Sequence, residues 1–343
     1  MAVAGSEAIV ETARRLADEV LFPAALATDA ADTVPRALLD ALAEAGLYGL
    51  RGPGWAGGMA ADLDLICAVT EALAAGCLTT TFVWSQHGGT PFVVAAAGSP
   101  ALRSWIEPLC RGAVRSGLAL AGAQPGPDPL RATRVDGGWR LDGRCPWISG
   151  WGQVDVLHTA AVADDASTVW MLVDARPSPS LRVARTPLVA LHATATVDAA
   201  FDGHRVPEER VTVITPPDDE PASGPAPAAL RIHAALALGV VARCCRLLGP
   251  SPLDAELAAV RRNLATGDAD AVPDARAGAA ELALRAAAAL MSATGAASLR
   301  RDRHPQRLAR EALFVSVFAA GPVVRDAFLA RLGATPDPGS PNG

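Results

Sequence analysis

The stretch from Leu118 to Trp151, LALAGAQPGPDPLRATRVDGGWRLDGRCPWISGW, carries most of what the sequence says about fold and function. The turn dipeptides Asp136-Gly137 and Asp142-Gly143 flank residues that alternate between apolar and polar, which predicts short antiparallel strands joined by tight turns. The tripeptide Trp147-Ile148-Ser149 follows the second dipeptide. At a strand end, its indole could lie against a flat ring and its hydroxyl could hydrogen-bond to the ring edge.

This segment resembles the start of the β-domain in acyl-CoA dehydrogenases. In that family a loop ending in Gly-Ser-Asp precedes a run of the form DGxxxLxGxKxWI(S/T), whose last three residues contact a flavin. Here Gly126-Pro127-Asp128 precedes a matching run from Asp136 to Ser149. The segment from Asp202 to Val211 resembles the one that closes the same domain. The resemblance implies FAD as the cofactor. The cofactor-binding residues that it implies are Leu120, Ala121, Gly126, Trp147, Ile148 and Ser149.

The whole chain follows the order of that fold. Apolar residues recur at helical spacing in the first third, β-branched runs and turn residues dominate the middle, and helical patterns return at the end. We therefore expect an α+β protein with N-terminal helices, a central antiparallel β-domain and a C-terminal bundle of the four-helix type. The expected segments are an N-terminal domain (1–117), the β-domain (118–214), a Pro-rich acidic linker (215–229), the bundle (230–333) and a disordered tail (334–343).

The catalytic base of the family has no counterpart in this sequence. Dehydrogenation of an acyl thioester needs a base at the α-carbon and a flavin that accepts the β-hydride. In the family the base is commonly a Glu in the last helices, and the corresponding position here is Ala319. Arg307, Arg310 and Glu311 lie in the same run, and an ion-pair network is a better interpretation of them than a substrate site.

His87 is the candidate catalytic acid–base group that remains. Flavin monooxygenases of similar layout use oxygen, and a neutral histidine near a flavin hydroperoxide could relay a proton. The alternative, which we favour, is a histidine held by hydrogen bonds at a helix end. The two interpretations predict different surroundings for the imidazole.

Composition restricts partners and compartment. The net charge of −6 is spread along the chain with no basic patch, which argues against nucleic acid as a partner. Six cysteines occur without CxxC or metal-like spacing, so we predict no metal site. No secretory signal is visible, so we expect a reducing cytoplasm. The uncharged run from Ala72 to Leu102 contains many polar residues, which favours buried helices over a membrane span.

These observations lead to one principal hypothesis and two alternatives. The principal one is an FAD-dependent oxidoreductase that acts on an acyl thioester, carried by acyl-CoA or a carrier protein, and passes electrons to an electron-transfer flavoprotein or oxygen. The fold implies a homodimer or homotetramer assembled through the bundle. The alternatives are a flavin monooxygenase of the same fold, and a non-catalytic subunit paired with a second dehydrogenase chain.

Overall fold

The computed structural model describes residues 2–124, 128–217, 226–266 and 268–334. Helices, a sheet and a second set of helices follow one another in the predicted order, which confirms the fold class. The N-terminal helices are α1 (Ala2–Leu16), α2 (Phe22–Asp29), α3 (Arg36–Glu44), α4 (Leu63–Gly76), α5 (Leu78–Ser85), α6 (Thr90–Ala96) and α7 (Arg103–Cys110). Asp62 caps α4 by accepting the N–H of Leu65 at 2.8 Å.

The central domain is one eight-stranded sheet in the order β6-β7-β3-β2-β4-β5-β8, and β1 pairs separately with β4. The strands are β1 (Ser116–Ala119), β2 (Arg131–Val135), β3 (Gly138–Ile148), β4 (Val156–Ala163), β5 (Thr168–Asp174), β6 (Leu181–Arg185), β7 (Val197–Pro207) and β8 (Val211–Thr215). Most pairings are antiparallel as predicted, but β4 runs parallel to β1 and β2. Because the chain reverses direction twice between β2 and β4, two strands that lie side by side point the same way.

One of the two predicted turns is wrong. Asp136-Gly137 does join β2 to β3 as an antiparallel hairpin. At Asp142-Gly143, however, the chain does not turn: β3 continues to Ile148, and its register with β7 shifts between Leu141 and Gly143. Gly143 has φ +117°, and a Cβ there would overlap the carbonyl oxygen of Pro129. The glycine therefore permits a close approach of two backbones inside a strand rather than a reversal.

The C-terminal helices form a bundle around α10. They are α8 (Pro227–Leu248), α9 (Pro252–Thr266), α10 (Val272–Thr294), α11 (His304–Val317) and α12 (Pro322–Arg331). The break that Gly321-Pro322 predicts separates α11 from α12. Arg331 pairs with Asp274 at 2.7 Å, which places the end of α12 beside the start of α10. Arg276, near the start of α10, also donates to the Val315 carbonyl near the end of α11 at 2.7 Å, so α11 runs antiparallel to α10 and α12 packs beside the first turns of α10.

The predicted element bounds need three adjustments. The apolar pattern from Thr81 to Ala97 predicts one helix, but the structure has two, α5 and α6, separated by Gln86–Gly89. The boundary between 117 and 118 falls inside β1, and α8 begins three residues before the bundle was expected to start, at Pro227. Most of the predicted linker and tail (218–225 and 335–343) lies outside the described residues.

Among the described residues, two helical stretches have the length and apolar composition of a membrane span, Pro227–Leu248 and Ala269–Leu299. Core helices of folded domains meet the same two criteria. In the first stretch, 67% of the most apolar window is buried inside the protein. Gly239 on α8 packs so closely on α4 that a Cβ would overlap Ala74. This face of α8 is therefore covered by another helix of the same chain.

Candidate functional site

Trp147 has an unusual conformation at the end of β3. It lies at a bulge, because the register between β3 and β7 shifts between Cys145 and Ile148. Its backbone is left-handed (φ +63°), which costs free energy for a bulky side chain, and its indole is 62% exposed. The N–H of Trp147 donates to Oδ1 of Asp198 at 3.3 Å. A strained backbone that presents a large aromatic group to solvent is typical of a ligand site.

The loop after β1 lies beside this strand end. The Gly122 N–H donates to Sγ of Cys145 at 3.3 Å, and a Cβ on Gly122 would overlap the Arg144 carbonyl oxygen. Burial raises the pKa of the Cys145 thiol to about 11, so this sulfur is a neutral acceptor. The structure thus brings Leu120 and Ala121 next to the strand that carries Trp147. Gly126, also predicted to bind the cofactor, lies outside the described residues.

The other two residues of the predicted tripeptide are buried. Ile148 belongs to the core of the sheet. Ser149 is 5% exposed, and its hydroxyl is 2.8 Å from that of Thr196, which is 2.9 Å from that of Thr194. The Thr194 hydroxyl donates to the Leu191 carbonyl at 2.7 Å, so the chain of hydroxyls ends on the backbone. Of the tripeptide, Trp147 alone presents its side chain to solvent.

Sequence reasoning did not select Thr194, Thr196 or Asp198, which hold this strand end in place. They precede or begin β7, about 50 residues from the tripeptide, since the Trp147–Asp198 bond spans 51 positions. The signal was the pair of hydroxyls two positions apart in Thr194-Ala195-Thr196, which a left-handed Ala195 brings within 2.9 Å of each other. The sequence does not show that β3 pairs with β7, so it does not reveal which residues these two hydroxyls contact.

His87 lies between the N-terminal helices and the sheet, and it is 1% exposed. Its Nδ1 accepts the backbone N–H of Ser116 at 3.0 Å, and its ring packs edge-on against Tyr48 at 4.8 Å between centroids. The Ser116 hydroxyl in turn donates to Thr90 at 2.7 Å. Burial lowers the pKa of His87 to about 3. These contacts favour the hydrogen-bonded structural histidine over the proton relay.

We expect His87 to make the protein less stable at acidic pH. In the unfolded chain the imidazole binds a proton below about pH 6.5, whereas the folded protein keeps it neutral down to about pH 3. The unfolded state therefore binds more protons in this window, and stability falls as the pH is lowered through it, by about 1.4 kcal/mol per pH unit. Urea unfolding between pH 7 and pH 4.5 measures this slope.

The matched variants are His87→Gln, whose amide oxygen can still accept the Ser116 N–H, and His192→Gln, which alters a more exposed histidine. We expect the first to reduce the slope by about 1.4 kcal/mol per pH unit, while His158 and His233, whose pKa values burial lowers to about 4, keep their contributions. We expect the second to leave the slope unchanged. Equal slopes in the wild type and His87→Gln would show that His87 is accessible to protons in the folded state.

The charged residues of α11 form ion pairs. The Arg307 guanidinium contacts the Glu311 carboxylate inside the protein, with side chains 1% and 2% exposed. Arg310 pairs with Asp29 through both terminal nitrogens, one of them at 2.9 Å. Because Asp29 ends α2, this pair ties α11 to the N-terminal helices. Ala319 lies in the connection between α11 and α12 with a left-handed backbone (φ +49°).

Comparison with known proteins shows which family the chain resembles. Residues 4–113 match the model of the acyl-CoA dehydrogenase N-terminal domain. Benzylmalonyl-CoA dehydrogenase from Aromatoleum aromaticum is 30% identical over 208 residues, 59% of this chain and 55% of that protein. These matches support a relationship to the acyl-CoA dehydrogenase family. A second relative, 3-sulfinopropanoyl-CoA desulfinase from Paraburkholderia xenovorans, is 27% identical over 60% of the chain and 55% of its own length.

The chain has the same fold as several solved structures. A glutaryl-coenzyme A dehydrogenase bound to glutaryl-CoA superposes with a TM-score of 0.80 at 19% identity, over 96% of this chain and 95% of that one. PigA with FAD and proline superposes with a TM-score of 0.77 at 17% identity, over 96% and 97%. These likenesses extend the fold assignment to both helical regions and the sheet. In sequence, the chain spans about half the length of the curated relatives that it matches.

Proposed function

We propose that this protein is an FAD-dependent oxidoreductase that acts on the CH–CH bond of an acyl thioester. The observation that carries the proposal is the exposed Trp147 indole on its left-handed bulge, at the strand end beside the loop of Leu120 and Ala121. An indole held in this way fits one face of a flat aromatic ring. The similarity to the acyl-CoA dehydrogenase N-terminal domain and to benzylmalonyl-CoA dehydrogenase supports the choice of a flavin as that ring and of an acyl thioester as substrate.

The residues of this chain would hold the ring rather than carry out proton transfer. FAD, when bound, supplies the acceptor for a hydride. The Asp198 carboxylate accepts the backbone N–H of Trp147, and the Thr196 hydroxyl bonds to that of Ser149. The strand end is therefore held in place before a ligand binds. Leu120, which is partly exposed, lies on the neighbouring loop and would cover an apolar edge. Preorganisation of this kind lowers the entropy lost on binding.

The missing carboxylate favours a second candidate, the non-catalytic subunit of a paired dehydrogenase. The methyl group of Ala319 cannot remove the α-proton of a thioester. Glu311, on the preceding helix, is buried against Arg307 and is not free for that role. A base would then come from a second, different chain. The monooxygenase alternative has less support, because His87 is enclosed and neutral.

The assembly and compartment are proposals of the same kind. We propose a homodimer or homotetramer formed through the bundle, because Leu313, Val317 and Val323 expose apolar side chains on α11 and α12. Electron-transfer flavoprotein or oxygen would take the electrons. We also propose the cytoplasm, where buried free thiols such as Cys145 and Cys244 remain reduced.

The visible absorbance of the purified protein, before and after acyl-CoA is added without oxygen, tests this function. We expect a yellow protein that bleaches with an acyl-CoA substrate. A yellow protein that bleaches only with a chemical reductant, and then consumes oxygen, would replace the dehydrogenase by the monooxygenase. A colourless protein that gains flavin only with a co-purified second chain would assign it to the paired complex.

A further inference from the structure

A second candidate site lies at the junction of the N-terminal helices and the bundle. We call it the Arg51 groove. It is a cavity of about 660 Å³ between the 51–61 loop, the start of α4, helix α6 and the first turns of α8. Its walls are mostly apolar and include Ile66, Phe92 and Ile232. A volume of roughly 300–1,000 Å³ with few polar groups is usual for a small-molecule site.

Arg51 is the one charged side chain among the described residues that line this groove. Its guanidinium forms no hydrogen bond or ion pair with the described part of the chain. The nearby carboxylates already have partners, since Asp62 caps α4 and Asp64 pairs with Arg231. Partial burial lowers the pKa of Arg51. A half-buried guanidinium without a counter-ion gains free energy when a carboxylate binds to it.

The first turn of α8 adds a second favourable group for an anion. Ala228 and Ala229 of this turn line the same groove. The helix is 22 residues long, no side chain caps its N-terminus, and its first turn contains no acidic residue. Its first N–H groups and the positive end of its dipole therefore lack a partner from this turn.

We propose that the Arg51 groove binds a free monocarboxylate with an aliphatic body. The carboxylate lies between Arg51 and the first turn of α8, and the aliphatic chain packs on Ile66, Phe92 and Ile232. The occupant must be amphiphilic, because one end of the groove is cationic and the walls are apolar. This site does not depend on the proposed reaction, since none of its lining residues belongs to the strand end that carries Trp147.

Isothermal titration calorimetry with octanoate and with 1-octanol tests the proposal. We expect saturable one-site binding of octanoate to the wild type, and weaker binding of 1-octanol, which has the same body without the charge. In Arg51→Gln, octanoate affinity falls by about tenfold, whereas 1-octanol affinity does not change. Arg51→Lys keeps the charge and should lose less. The control is Arg14→Gln, which removes an exposed arginine on α1 and leaves both affinities unchanged.

A second variant tests the position of the aliphatic chain. Ala229→Leu fills the groove from α8, and we expect it to weaken octanoate and 1-octanol together, with a thermal unfolding temperature close to that of the wild type. The proposal is overturned if octanoate does not bind to the wild type. It is also overturned if Arg51→Gln and Arg14→Gln bind octanoate equally.

Discussion

Replacement of Glu311 by alanine is expected to destabilise the protein by about 3–5 kcal/mol. The carboxylate of Glu311 contacts the Arg307 guanidinium in the interior, where both side chains are nearly inaccessible to water. Without the carboxylate, Arg307 keeps a buried positive charge that has lost its counter-ion. One Glu311 oxygen and the Arg307 Nε already have no partner among the described residues. The groups around this buried pair therefore satisfy only part of its hydrogen-bonding capacity.

Urea unfolding of Glu311→Ala measures this loss. Glu107→Ala is the matched control, because Glu107 pairs with Arg111 at 2.8 Å and at the same helical spacing, with side chains 57% and 70% exposed. Exposed pairs of this kind contribute about 0.3–0.5 kcal/mol. The double variant Arg307→Met/Glu311→Leu should recover most of the loss, since neither residue then buries a charge. If the two single variants lose equal stability, the Arg307–Glu311 pair is hydrated in solution.

The order of helices and strands could be predicted because it depends on local patterns. Helical spacing of apolar residues, the Asp136-Gly137 turn and the Gly321-Pro322 break are each encoded within a few positions, and the structure confirms all three. The incorrect turn at Asp142-Gly143 has a non-local cause. The glycine is required by Pro129, which approaches from the preceding loop, and its neighbours do not reveal that contact.

The break between α5 and α6 illustrates the same limit. The pattern from Thr81 to Ala97 predicts one helix, but turn-type hydrogen bonds interrupt the α-helix across Gln86–Gly89, where His87 meets the sheet. There, Nδ1 of His87 accepts the N–H of Ser116, 29 positions away. The stabilisation from this buried hydrogen bond depends on the packing of the helices against the sheet, which the local sequence does not reveal. The groove around Arg51 was also invisible in the sequence, because its walls come from four separate segments.

The candidate site could be predicted from the sequence mainly because this segment resembles the β-domain of acyl-CoA dehydrogenases. The resemblance pointed to Trp147-Ile148-Ser149, but it did not distinguish their surroundings. The structure separates them into one exposed indole, one core residue and one hydroxyl held by Thr196. Only the exposed member can contact a ligand through its side chain without a rearrangement of the sheet. Trp147 is therefore the residue whose replacement can change ligand affinity without changing the stability of the fold.

Replacement of Trp147 by glycine should reduce FAD affinity by about 5–150-fold without loss of stability. Aromatic stacking on a planar base contributes roughly 1–3 kcal/mol, which corresponds to this range. Glycine adopts the left-handed backbone at φ +63° without steric cost, so the apoprotein should be at least as stable as the wild type. A core tryptophan would behave in the opposite way, because its removal costs about 3–5 kcal/mol.

Two measurements on the same preparations separate these interpretations: FAD titration followed by flavin fluorescence, and urea unfolding of the apoprotein. Trp55→Ala serves as the control, because Trp55 is equally exposed but lies in the N-terminal domain, where it packs against Arg103. We expect that variant to bind FAD as the wild type does. Unchanged FAD affinity in Trp147→Gly would mean that the indole does not cover the flavin. A large loss of stability would mean that the strand end needs the tryptophan for folding, and the strained backbone would then no longer argue for a ligand site.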